Sequence, residues 1–577
     1  MKKVIAFLLC IFPIQLFAQA LLSPFEKSGG KQTATYFECI DFYQQLDRTS
    51  AKISIKETGM SDAGYPYHVV LYANDGTSDP VQWHKQHKIV ILIINGIHPG
   101  EPDGIDASMM LLRDLANGKT RISNQVALAV IPIYNIGGAL NRNSFSRVNQ
   151  DGPDSYGFRG NAQNLDLNRD FTKCDSRDAI SFTTIFHWLD PDVQLDNHVS
   201  DGADYQHTMT LISTQWNKLG GSLGNLSHDI FDPALYGLME RSGWPMCPYV
   251  NFEEGDTEKG WEAFPDFPRY SSGYAALFHT LSFISETHML KPFPERVRST
   301  YALMQSLIET SSRLADHIIA NRNKDKSEDQ QRSDFTLSWK VDSSRADSIL
   351  FRGYTASHKI SAITGLSRLY YDHSKPFEKN VPYYNHFIPE KQMSVPVAYV
   401  IPQGWHVAIG LLALNRVEMH QLTHDSTMRV QVYHIESYKS FPNAYEKHHK
   451  NGDVKVSTSM QTIRFLKGDY IIPTKQSARR FLVEMLEPIG DDSYFAWNFF
   501  DAILQEKEGY SDYRWEDVAA AYLVEHPELK TMLDERKKSD AAFAKDASAQ
   551  LEFVYKNSPY YEPEHMRYPV YRLLPTR

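Results

Sequence analysis

The chain has 577 residues, 42% of them hydrophobic and 23% charged, with a formal net charge of −10. This length accommodates two or three domains with large cores, and the composition excludes a disordered, collagen-like or disulfide-dense chain. The acidic balance and the lack of any basic block exclude a nucleic-acid partner.

The first twenty residues, MKKVIAFLLCIFPIQLFAQA, read as a secretory signal. Lys2 and Lys3 form the basic start, residues 4–17 the apolar core, and Ala18-Gln19-Ala20 an A-x-A site with cleavage after Ala20. The mature protein is then expected to be secreted or periplasmic. A membrane anchor fits less well, because the apolar run is short for a bilayer span, and no later stretch is apolar enough to span one. Cys10 follows the bulky Leu9 rather than the small residue expected of a lipoprotein. Cys39, Cys174 and Cys247 remain after cleavage, odd in number and without C-x-x-C. They predict neither a disulfide framework nor a thiolate zinc site, and leave room for one disulfide.

From residue 21 to 322, apolar strand-like runs alternate with amphipathic helical segments, which predicts an α/β domain. KIVILIINGI, residues 88–97, lacks alternation and reads as a fully buried strand. DASMMLLRDLAN, 106–117, follows as a helix. Between them His98 falls near the N-cap, Pro99 at the first helical position and Glu101 in the first turn, with Gly100 allowing close approach. QVALAVIPIYN, 125–135, is a strand ending at Asn135 and feeding a polar loop that holds Arg142, Arg147, Asn168 and Arg169. DVQLDNH, 192–198, ends in His198, and TLSFISE, 280–286, ends in Glu286. Residues 294–321 carry apolar residues at helical spacing. NKDKSEDQQRSD, 323–334, is polar and aperiodic and predicts a linker. Residues 335–577 then read as a C-terminal α+β accessory domain of unassigned role. It holds short strands such as FTLSWKVD, a helix from Val407, a strand pair around MRVQVYHI and TIRFLKGDYIIP, and a mainly helical end.

A chain with 22 histidines contains roughly one H-x-x-E by chance, so His98 and Glu101 alone decide nothing. Three further strands change this, because each delivers polar groups at its carboxyl end, where open parallel sheets bind ligands. His98, Glu101 and His198 form a catalytic zinc set with the fourth position open to water. Two neutral imidazoles and one carboxylate leave one net positive charge on the site, enough to bring the pKa of bound water to about 7. Glu286 is then free to act as a base. Asp166 is placed to orient a ligand histidine, and Arg147 and Arg169 suit an oxyanion and a substrate carboxylate. On loop position Arg142 is the alternative to Arg147.

The order H-x-x-E, R-x-N, D-x-N-R, strand His and strand Glu resembles the carboxypeptidase A-like zinc metallocarboxypeptidases. The matching residues are His98 and Glu101, Arg147-Val148-Asn149, Asp166-Leu167-Asn168-Arg169, His198 and Glu286, over about residues 30–320. The resemblance implies an α/β/α sandwich around a mixed, mostly parallel sheet. It implies one zinc per chain on His98, Glu101 and His198, with Arg147 stabilising the oxyanion. It also implies that Asn168 and Arg169 hold the terminal carboxylate of a peptide substrate, with Glu286 as general base and then acid. The expected activity is hydrolysis of the C-terminal peptide bond. Digestive members carry arginine directly before the metal-binding glutamate, where this chain has Gly100, so one subsite contact is missing. Their mobile tyrosine corresponds to Tyr270 or Tyr274, of which Tyr270 is preferred. Related deacylases share the histidine-glutamate turn. A zinc deacylase or amidase acting on acyl-amino acids or cell-wall peptides is therefore the first alternative, and an inactive peptide-binding protein the second. His207, His228, His279 and His288 read as packed or surface histidines, KHHK at 447–450 as a solvated loop, and SYFAWNFF at 493–500 as core.

Overall fold

The computed structural model describes residues 21–252, 255 and 257–575. The expected secretory signal lies outside the described residues. Strands β1 (Ile53–Met60), β2 (Pro66–Ala73), β3 (Ile89–Asn95), β4 (Val126–Ile131) and β5 (Val193–Ser200) come first in the chain. They are followed by β6 (Met209–Ser213), β7 (Met246–Pro248), the short β8 (Trp261–Glu262) and β9 (Leu281–His288). All except β8 form one eight-stranded sheet in the order β1-β2-β4-β3-β5-β9-β6-β7. The centre of the sheet is parallel, β4-β3-β5-β9. β1, β2 and β6 pair antiparallel with their inner neighbours. Every residue of β3, β4 and β5 is buried, as runs without alternation require when both faces are covered.

Period-two alternation sorts the side chains between the two helical layers. On one face Asn95 reaches Ser108 of helix Asp103–Ala116, and Ser108 in turn reaches Met304 of helix Phe293–Arg313. On the other, Gln194 and Asp196 bond to Ser271 at the start of helix Ser271–Ala276. The expected α/β/α sandwich is therefore present.

The second half of the chain is α+β, as expected, and differs from expectation where it begins. Residues 323–329 are not a linker but the end of helix Ala315–Asp329. Its polar residues are engaged: Arg322 pairs with Asp190 and Asp192, Asp325 accepts from the Ser222 and Leu223 amides, and Asp329 meets His279. Beyond it lie a six-stranded sheet with the long pair Ser426–Ser440 and Asn451–Phe465, a hairpin Asp347–Ile360 with Ser367–Tyr384 that takes up β8, and a pair Asp334–Val341 with Phe387–Ser394. A hydrophobic core runs unbroken from the central sheet into this region. Phe278 stacks on Phe481 with ring centroids 5.4 Å apart, and Tyr274 donates to Asn415. The 493–500 aromatics belong to this core: Tyr494, Phe495, Trp497 and Phe500 are fully buried. The helices between Asp512 and Lys556 gather around a separate small core of Trp515, Leu529, Leu533 and Tyr555. Among the described residues no helix is long and apolar enough to cross a membrane. Cys39, Cys174 and Cys247 are free and buried, so the disulfide left open by the sequence does not form among them.

Candidate active site

The turn after β3 is built differently from a helix start. The Glu101 amide donates to the His98 carbonyl at 2.8 Å, and the helix begins only at Asp103 with Pro102 at its N-cap. Pro99 is therefore not the first helical residue; it sits inside a tight turn that folds His98 and Glu101 together. Gly100 is required there, because a Cβ would come within 2.7 Å of Arg147 Cδ. The aliphatic stem of Arg147 lies over Gly100, and its guanidinium donates to Glu101 Oε1 at 2.9 Å.

His198 and Glu286 lie opposite each other in the parallel register of β5 and β9, on one face of the sheet. Each strand runs two residues further than the sequence reading, to Ser200 and His288. His98, Glu101 and His198 are 3%, 3% and 4% exposed. Nδ1 of His98 is 3.3 Å from Glu101 Oε1, and Nδ1 of His198 is 3.1 Å from Glu101 Oε2. Both Nε2 atoms face other carboxylates, Asp166 for His98 and Asp196 for His198, each at 2.9 Å. With a proton on each Nε2, both Nδ1 lone pairs point to the same space as the Glu101 carboxylate. His98 Nδ1 is buried without a hydrogen-bond partner. The three ligand atoms lie within 4.8 Å of one another and can hold one metal ion. An orphaned imidazole nitrogen beside a second imidazole and a carboxylate fits the donor set of a catalytic zinc.

The charges around this cluster are strongly coupled. Burial pushes Glu101 upward, but Arg147 and the two histidines outweigh it and hold the carboxyl well below its usual range. Burial likewise works against Asp166, and His98, Arg159 and Arg169 overcome it, keeping the carboxylate ionised. Glu286 shows the reverse balance: burial, with Glu101 and Asp196 nearby, pushes it up to about 8 against the pull of His198 and Arg159.

A cavity of about 520 Å³ is lined by the cluster together with Glu286, Arg147, Arg159, Asn168, Arg169 and Tyr270. Asn168 Oδ1 is buried without a partner. The Arg169 guanidinium lies 4.7 Å from the centroid of the Tyr270 ring. Tyr274 is fully buried in the core, away from the cavity. Arg142, the alternative to Arg147, donates to the Ala34 and Ser155 carbonyls and does not line the cavity. The four spare histidines are engaged elsewhere, with Pro245, Asp229 and Asp347, Asp329, and Ala203.

Three contributions were missed in the sequence. Asp196 stands two residues before His198 on the same face of β5, a spacing that was readable as D-x-H. Arg159 bonds Asp166 and reaches Glu101 at 3.7 Å; its Arg159-Gly160-Asn161 repeats the R-x-N pattern assigned to Arg147. Tyr445 and Glu446, from the distant C-terminal half, accept hydrogen bonds from Arg169 Nε and the Asp166 amide. The KHHK run is a solvated loop only in part, since His448 bonds Asp175 at 2.8 Å and Lys450 is buried.

No family model matches the chain. Over 490 residues it is 21% identical to carboxypeptidase 2 of Trichophyton rubrum, an alignment covering 81% of this chain and 84% of that protein. The carboxypeptidase 2 of Trichophyton equinum gives the same identity and coverage. The chain is thus similar in sequence, over most of its length, to proteins named carboxypeptidase 2. Among solved structures, a metallo-carboxypeptidase from Pseudomonas aeruginosa in complex with (2-guanidinoethylmercapto)succinic acid aligns at 15% identity with a TM-score of 0.35, over 49% of this chain and 70% of that one. Carboxypeptidase A from Helicoverpa armigera aligns at 14% identity and TM-score 0.35, over 49% and 74%. The C-terminal half of the chain packs against the sheet that carries the candidate metal cluster.

Proposed function

We propose that the protein is an exported zinc carboxypeptidase that removes the last residue from peptides with a free C-terminal carboxylate. The observation that carries this reading is one cavity shared by the His98–Glu101–His198 cluster, Glu286 and the Asn168–Arg169 pair. A zinc ion held by the three ligands would supply a Lewis acid that polarises a carbonyl and acidifies water. Arg169, with Asn168 beside it, holds the substrate carboxylate through charge-assisted hydrogen bonds and so fixes which peptide bond is presented. Glu286 takes a proton from the attacking water, whose oxygen adds to the carbonyl carbon. As the C–N bond breaks, Glu286 passes that proton to the departing nitrogen. Burial raises the proton affinity of Glu286, which suits a group that first accepts and then returns a proton. Arg147 is assigned to stabilise the developing oxyanion. Arg159, which lines the same cavity and acts on Glu286, shares that task. Tyr270, which lines the same cavity beside Arg169, is assigned to contact the substrate. Asp166 and Asp196 orient the two histidines. Export follows from the signal-like first twenty residues.

A release assay over free-acid peptides, their amides and acyl-amino acids tests the reading. Release of the terminal residue from the free acids supports it. Hydrolysis of acyl-amino acids alone would assign the site to a deacylase.

A further inference from the structure

The strand pair Ser426–Ser440 and Asn451–Phe465 is joined by residues 441–450, which reach back onto the active-site loop. Within this connection Tyr445 and His448 exchange both backbone hydrogen bonds, at 2.7 and 3.1 Å, closing a two-residue turn. Its central residues, Glu446 and Lys447, have φ of 47° and 75°. Two positive-φ residues in succession are the mark of a type I′ turn, whose sequences are ordinarily Asn-Gly or Asp-Gly. Glutamate and lysine are poor choices for this backbone, and such strain is retained where the surroundings and the function demand a particular placement.

What the turn places is specific. The Tyr445 hydroxyl accepts from Arg169 Nε at 3.0 Å, and Glu446 Oε2 accepts from the Asp166 amide at 2.8 Å. His448 holds Asp175 at 2.8 Å. The Tyr445 ring is stacked on the buried Trp497, interplanar angle 15°. One turn thus grips the segment 166–175 at three points. That segment carries Asp166, Asn168 and Arg169. Arg169 also contacts the Asn168 carbonyl, the Tyr270 ring face and, at 3.9 Å, the Asp166 carboxylate. With Nε bound to Tyr445, the guanidinium plane is set and its outer edge is left for a ligand.

We propose that the 445–448 turn is a clasp by which the C-terminal half of the chain sets recognition of the substrate carboxylate, with Tyr445 and Glu446 as positioning residues for Arg169 and for the Asp166–Asn168 loop. This rests on the carboxypeptidase reading of the site. Neither residue lines the cavity, so both act through the residues they hold.

The test uses the full-length zinc-loaded protein. Tyr445→Phe keeps the ring on Trp497 and removes only the acceptor of the Arg169 bond. It should raise KM for a free-acid peptide roughly tenfold, leaving kcat, bound zinc and Tm unchanged, and the preference for acid over amide should fall with it. The double variant Glu446→Asn, Lys447→Gly supplies the residues a type I′ turn favours and removes the carboxylate that holds the Asp166 amide. Its Tm should rise while its KM also rises. A turn with a purely structural role would give a higher Tm with wild-type KM, and that result overturns the clasp. Wild-type KM in Tyr445→Phe alongside a defective Arg169→Ala also overturns the clasp while leaving the carboxypeptidase reading intact. An Arg169→Ala variant without any defect overturns the carboxylate reading and the clasp together.

Discussion

Replacing Asp196 by asparagine should perturb the proposed zinc site without changing any of its three proposed ligands. In the wild type, the Asp196 carboxylate accepts from His198 Nε2 at 2.9 Å and from Ser271 Oγ at 2.7 Å, and it is fully buried. The asparagine can turn its oxygen toward His198, but its amide nitrogen then occupies the place of Oδ1, which is buried and has no partner. The variant therefore loses a charge-assisted bond and gains an unsatisfied donor. A hydrogen bond to a charged group contributes about 1.5–3 kcal/mol. At about 1.4 kcal/mol per factor of ten, this becomes roughly 10- to 100-fold weaker zinc binding, the range observed for carboxylates behind ligand histidines. Competition with a chelator of known affinity measures the apparent Kd, and circular dichroism checks the fold. Zinc affinity within about twofold of wild type in a folded Asp196→Asn protein would refute the argument that Asp196 fixes the tautomer and orientation of His198.

Other expectations follow from the same geometry. His198→Ala should lose most of the stoichiometric zinc, because three ligands fall to two; a full zinc complement in that variant would remove His198 from the site. Glu286→Gln keeps shape and metal but removes the base, so kcat should fall by ~100-fold or more at unchanged zinc content, and near-normal turnover would place the base elsewhere. Asp106 is fully buried, and burial pushes its carboxyl up to about 7 from 3.8. Its folded form thus binds a proton more tightly than its unfolded form. The stability tied to it is complete below pH ~4 and lost as pH rises through 7, by on the order of 4 kcal/mol. Asp106→Asn has no such proton to lose, so Tm of the variant minus wild type should increase between pH 4 and 8; a constant difference would contradict the assignment.

The proposed site residues that the sequence offered and the structure brings together share a physical cause. β3, β5 and β9 are apolar runs buried on both faces, so a histidine or glutamate near the carboxyl end of such a run stands out. His98, His198 and Glu286 were legible for that reason. The turn at Pro99 was misplaced because two prolines, Pro99 and Pro102, both suit a helix start, and only the hydrogen bond from Glu101 to His98 separates them. Arg159 was hidden by an earlier R-x-N at Arg147, since loops have no periodicity to rank one arginine over another. The polar run 323–334 read as a linker because its charges appear solvated in sequence, whereas Asp325 and Asp329 are buried against partners far away in the chain. Tyr445 and Glu446 had no signal at all: they meet Arg169 and Asp166 across 276 and 280 residues of sequence, through a turn whose own sequence disfavours it.

The central claim is that this cavity grips a free C-terminal carboxylate while the residues at its base open the adjacent peptide bond. One measurement tests it most directly: release of the last residue from the acid and amide forms of a single peptide, by wild type and by Arg169→Ala. The account predicts that wild type cleaves the acid and largely spares the amide, by a margin on the order of 2–5 kcal/mol in kcat/KM. Arg169→Ala should erase most of that margin by slowing the acid. Equal cleavage of both forms by wild type would contradict it.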